Sequence, residues 1–102
     1  MKKLGYAIDE FLEYKNKAGD CNTAYFYELT LKEILQLIHD IELTEINQVT
    51  YLITANRIRI DSQGDEDIFQ INMFVLNQFV EWLYEEDYIE FDLAYTYKLL
   101  MN

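Results

Sequence analysis

A chain of 102 residues with no proline, and with glycine only at positions 5, 19 and 64, has few places to end a helix. That shortage constrains the fold more than any other feature. Helices joined by short turns are the expected architecture, and apolar residues at helical spacing mark them. The first helix is expected over roughly residues 2–18, with Leu4, Ile8, Phe11, Leu12 and Lys15 on one stripe, Glu13 placed to pair with Lys17, and Gly19 as the cap. The second spans about 23–41 behind Asn22 as N-cap. Its buried stripe is Tyr27, Leu31, Ile34, Leu35 and Ile38, with Glu28, Lys32, Gln36, His39 and Asp40 on the wet side.

The third segment, "LTEINQVTYLITANRIRID", admits two readings. Thr44 as cap and a stripe of Ile46, Val49, Leu52, Ile53, Asn56 and Ile60 favour a helix. The β-branched content favours a hairpin near residues 48–60, turning at Ala55 and Asn56. The helix is preferred because no second strand partner is evident and an isolated hairpin is marginal. The loop "DSQGDED" invites a calcium reading that fails: Gly64 at the sixth loop position puts Arg59 first and Gln70 twelfth, where carboxylates are needed. Asp67 and Gln70 instead have capping-box spacing.

The fourth helix, Ile68 to about Glu86, is expected to bury Ile68, Ile71, Val75, Leu76, Phe79, Trp82 and Leu83. Asn72 falls on that apolar side and needs an internal partner. Gln70, Asn77, Gln78, Glu81 and Glu85 occupy the opposite arc, with Phe74 among them, an aromatic ringed by polar groups that either anchors a partner or packs beneath a neighbouring helix. A short fifth helix, "FDLAYTYKLLM", follows. Hydrophobic residues make up 51% of the chain, enough for one core, so the expected fold class is all-α: a compact bundle of four to five helices in a single domain, residues 1–102. The alternative is α+β with the hairpin.

"TEINQVTYLI", a polar turn and "DIFQINMFVLNQFVEWLYEEDYIEFDLAYTYKLL" together resemble the N-terminal core-binding domain of tyrosine recombinases and phage integrases, a SAM-like helical bundle. The most specific echo is "LNQFVEWLYEEDYIEFDLA", a hydrophobic helix with a Trp-Leu end, a short turn and an isoleucine before an acidic stretch. The resemblance implies a DNA-gripping bundle shape. Two departures separate shape from activity. The family's closing Asn-Pro is replaced here by Phe91, Asp92 and Leu93, and the last long helix carries none of the basic side chains that grip phosphates. The family's catalytic domain is absent from these 102 residues, so its strand-exchange activity does not carry over.

Charge and composition narrow the function. The net charge is −11, and from Asp61 to Asp92 there are ten acids and no bases. On the first helix the acids lie among the lysines, and Arg57 and Arg59 form an isolated pair, so a duplex finds little to neutralise it. A DNA-binding accessory domain is therefore the weaker alternative. Cys21 and His39 are the only residues of their kinds, which argues against a disulfide, a metal site or a nucleophilic dyad. No catalysis and no cofactor are expected. Neither is a membrane span, and acids within the opening segment argue against a signal peptide, so the expected location is cytoplasmic.

Nine tyrosines exceed what one small core hides with hydroxyls satisfied. A protein-binding module follows, with Phe74, Asn77, Gln78, Glu81, Glu85 and Tyr88 as partner-binding residues and a basic protein as partner. An accessory or antagonist from a phage or mobile element, with carboxylates standing in for phosphates, is its sharpest form. A self-associating structural protein is the other alternative.

Overall fold

Asp40 begins to explain how the helices are set against each other. In the computed structural model, which describes residues 2–19 and 21–101 (without the side chains of Cys21, Ala94, Tyr95 and Met101), its carboxylate accepts from the backbone N–H of Gly5 at 2.8 Å. Helix α1 (Leu4–Lys17) has Lys3 as N-cap and receives no side-chain bond from it, so Asp40 supplies from outside what a local cap ordinarily gives. Residues 2–4 and 41–43 run antiparallel beside this contact, with Leu4 N–H to the Ile41 carbonyl at 2.8 Å and Leu43 N–H to that of Lys2 at 3.0 Å. Helix α2 (Cys21–Ile38) ends just before this strap, where His39 turns the chain with φ of 66°. His39 is exposed as expected, but it and Asp40 lie beyond the end of α2 and not on the wet side of a helix reaching 41.

A 3-10 turn (Leu43–Glu45) leads to α3 (Gln48–Asp61), a helix and not a hairpin. Asn47, not Thr44, caps it: its side chain accepts from the N–H groups of Val49 and Thr50, and Thr50 Oγ1 accepts from Asn47 N–H. Apart from Ile46, which precedes the helix and packs against the core, the expected stripe points the wrong way. Tyr51, Thr54, Ala55 and Ile58 are buried, whereas Val49, Leu52, Ile53, Asn56 and Ile60 are exposed. Both faces of α3 carry apolar residues at helical spacing, and the one that meets α2 and α4 is the less apolar of the two.

The turn through Gln63 and Gly64, at φ of 53° and 83°, reverses the chain into α4 (Glu66–Glu85). Asp65 caps it, accepting from Asp67 and Ile68, in place of the expected Asp67–Gln70 box. Val75, Leu76, Phe79, Trp82 and Leu83 are buried as expected. The buried face is rotated toward Phe69, Met73 and Val80, which leaves Ile68 and Ile71 exposed and Asn72 only half-buried. The rotation follows from α4 packing against α1, α2, α3 and α5, so its covered side is wider than a single apolar stripe. Helix α5 (Ala94–Met101) closes the bundle, and Asn22, expected as a cap, lies inside α2.

One core joins α1 through α4 with the connecting Leu43, Ile89 and Leu93, and Tyr97 and Leu100 of α5 pack against it. At its centre Phe11 meets Phe79 edge-on at 5.4 Å, Trp82 at 5.5 Å and Tyr27 in a stack at 6.0 Å. The chain is an all-α bundle, and no helix among the described residues is long and apolar enough to cross a membrane.

Replacing Asp40 with alanine should cost about 1 kcal/mol of stability in urea denaturation, the value of a lost N-cap. Tyr51 is a second test. Its hydroxyl is buried without a hydrogen-bond partner among the described residues, and burial pushes the phenol above its ordinary 10.0. The unfolded chain therefore ionises first as pH rises past about 10, so stability intact below that pH declines above it. Tyr51→Phe should stabilise the fold by roughly 1 kcal/mol at neutral pH and soften the alkaline decline, both read from denaturation curves.

Candidate protein-binding surface

Phe74, Gln78, Glu81 and Glu85 follow one another at intervals of four, three and four residues, which lines them up along α4. Phe74 is 48% exposed. It stands as a ridge between two open grooves, one shared with Asn22 and Phe26 of α2, the other with Tyr97 of α5 and Asp67, Gln70 and Ile71 of α4. An aromatic that the core could have taken is thus left on the surface.

Beyond Phe74 the strip turns acidic and meets α1. Two adjoining grooves run between the helices, lined by Gln78, Glu81, Trp82, Glu85 and Glu86 on one side and by Glu10, Phe11, Glu13, Tyr14, Lys15 and Lys17 on the other. Five carboxylates share the grooves with Lys15 and Lys17, and Lys2 reaches Glu10 from outside them at 3.8 Å. Lys17 is held by Glu13 at 3.1 Å, an exposed pair of small energetic weight. Lys15 lies 5.6 Å from the ring centres of Phe11 and Tyr27 and 5.8 Å from that of Tyr14, so the chain's own ammonium already uses aromatic faces as a seat. Tyr14 and Trp82 form the floor, their ring centres 6.5 Å apart and tilted by 31°.

Tyr88 braces one end of this groove. Its hydroxyl donates to Glu10 and accepts from Lys2 Nζ at 2.7 Å, and its ring lies 5.8 Å from that of Trp82. The hydrogen bond to Glu10 raises the Tyr88 pKa, with Lys2 pulling the other way. Tyr88 therefore shapes the site with a hydroxyl already engaged.

Asn77 departs from expectation. It is buried, with its amide nitrogen 3.4 Å from Glu81 Oε1 and its amide oxygen unpartnered among the described residues. Because α4 is covered on four sides, the arc opposite its most apolar residues is not all solvent, and Asn77 falls on the covered part. It can steer Glu81 and cannot itself touch a partner.

The arginines are engaged elsewhere: Arg57 donates to the Leu37 carbonyl, and Arg59 pairs with Glu66 at 3.2 Å while stacking on Phe69. Among the described residues no three His, Cys, Asp or Glu side chains converge as a metal site. Cys21's thiol lies outside the described side chains.

The chain matches no family model, no curated protein and no solved structure. The surface must be read from its own chemistry. Helical spacing alone sets Phe74, Gln78, Glu81 and Glu85 on one line of α4; it does not bring Glu10, Glu13 and Tyr14 beside them, because the groove exists only where α1 lies against α4. If Tyr88 braces that junction, Tyr88→Phe should lower stability by no more than about 1 kcal/mol. The same change should shift the fluorescence of Trp82, the chain's only tryptophan, because the ring beside it loses its anchor.

Proposed function

We propose that this chain is a non-catalytic protein-binding module that captures a basic segment of a partner protein in the groove between α1 and α4. The observation that carries the reading is the five carboxylates, Glu10, Glu13, Glu81, Glu85 and Glu86, lining grooves floored by Tyr14 and Trp82. An arginine or lysine entering there gains a carboxylate and an aromatic face together, and a net charge of −11 speeds its approach. Phe74, further along the same line of α4, supplies an apolar anchor beyond the charged section.

Within this reading the resemblance to integrase core-binding domains concerns the order of helices, and the partner fitting it best is a basic nucleic-acid-binding protein of a phage or mobile element. The carboxylates then occupy a surface made for phosphates. Direct DNA binding has less support, since a net charge of −11 repels phosphates and Arg57 is engaged by the Leu37 carbonyl.

Trp82 fluorescence tests the proposal directly, with an arginine-rich peptide as probe. Titration should give a saturable change that weakens steeply as salt rises. Glu81→Lys with Glu85→Lys should abolish it, while Glu28→Lys with Glu33→Lys, on α2, should leave it nearly intact. Equal loss from both pairs would reduce the effect to bulk charge and sink the groove. Salt-insensitive binding would move the contact to the apolar surface around Phe74.

A further inference from the structure

The apolar stripe that α3 turns outward has no role in the groove. Val49 is 64% exposed, Leu52 41%, Ile53 47% and Ile60 69%, on the side of the helix opposite its buried residues. Such a row, nearly continuous over about 16 Å of helix, costs solvation and is ordinarily covered. We infer that α3's outer face is the contact between two copies of this chain, paired antiparallel about a two-fold axis.

Three observations select a second copy as the occupant. First, charge. Two chains of net −11 repel, yet residues 46–60 are the longest stretch of the sequence without an acid. Exposed carboxylates stand on the three other long helices, Asp9 and Glu13 on α1, Glu33 on α2 and Glu85 on α4, while the short α5 has none and exposes Lys98. On the outer face of α3 two copies meet without stacking like charges.

Second, the face makes no demand for a charged partner. Arg57 and Arg59, at its two edges, already have the Leu37 carbonyl and Glu66. Its complement is another neutral apolar face, and a second copy presents one.

Third, the spacing is self-complementary. A two-fold contact requires that if residue i meets j, then j meets i. Reversing the helix about its midpoint between 54 and 55 sets Val49 against Ile60 and Ile53 against Asn56, while Leu52 at the edge falls against the aliphatic stem of Arg57. The two Asn56 amides then lie about 4.5 Å apart along the axis, close enough to bond each other and fix the register. A single helix face buries less than the roughly 800 Å² per partner of a standard interface, so the dimer is reversible and concentration-dependent.

The inference stands apart from the groove, and its test separates the two. Sedimentation velocity from low micromolar to submillimolar protein should show a monomer–dimer equilibrium. Salt should strengthen it, because screening weakens repulsion between the acidic chains and leaves apolar contact intact. That trend is opposite in sign to the peptide binding of the groove. Ile53→Asp should stay monomeric throughout with unchanged far-ultraviolet circular dichroism, since Ile53 is off the core. Phe74→Ser should dimerise like the parent. A parent chain monomeric at every concentration and salt, or an Ile53→Asp variant associating like the parent, overturns the inference.

Discussion

Phe11 is where the bundle is held together. One ring on α1 touches Phe79 and Trp82 of α4 and Tyr27 of α2, and is 1% exposed. Aromatic packing of this kind fixes the angle between helices as well as their distance, since edge-on and stacked arrangements have preferred geometries. Once Phe11 sets α1 against α4, Tyr14, nearly one turn on, must lie near the edge of Trp82. Glu10 and Glu13 then have no place but beside the carboxylates of α4. The acidic groove is thus a consequence of core packing.

The same packing separates the surface into two chemistries. Between α1 and α4 lie carboxylates over aromatic rings; on the outer side of α3 lie apolar side chains without acids. A chain of net −11 gains from this division. Carboxylates stand on α1, α2 and α4, and the outer side of α3 is left as a helix face without them.

Much of α1 and α2 was legible in the sequence because each has one apolar stripe and one polar side. The Glu13–Lys17 pair, the buried Leu4, Ile8, Phe11 and Leu12, and the exposed Phe74 all lie where helical spacing puts them. On α3 the same reasoning chose the wrong face. The outer set of Val49, Leu52, Ile53 and Ile60 is more apolar than the inner set of Tyr51, Thr54, Ala55 and Ile58, so hydrophobicity alone selects the outer one. Asn77 was misplaced for a related reason: periodicity describes one helix, and a central helix has neighbours on several sides.

The sequence by itself determined that the chain is mainly helical, that Gly19 and Gly64 mark two of its turns, and that its charge is strongly negative, because these depend on local propensity, on the scarcity of glycine and proline, and on counting. Only the tertiary structure decided which face of α3 is hidden, which arc of α4 is covered, and which acids share a groove. Burial is a property of pairs of elements. Packing of α3 against α2 and α4 takes in Tyr51, Thr54, Ala55 and Ile58 even though that set is the less apolar, and no spacing within a single helix records that choice.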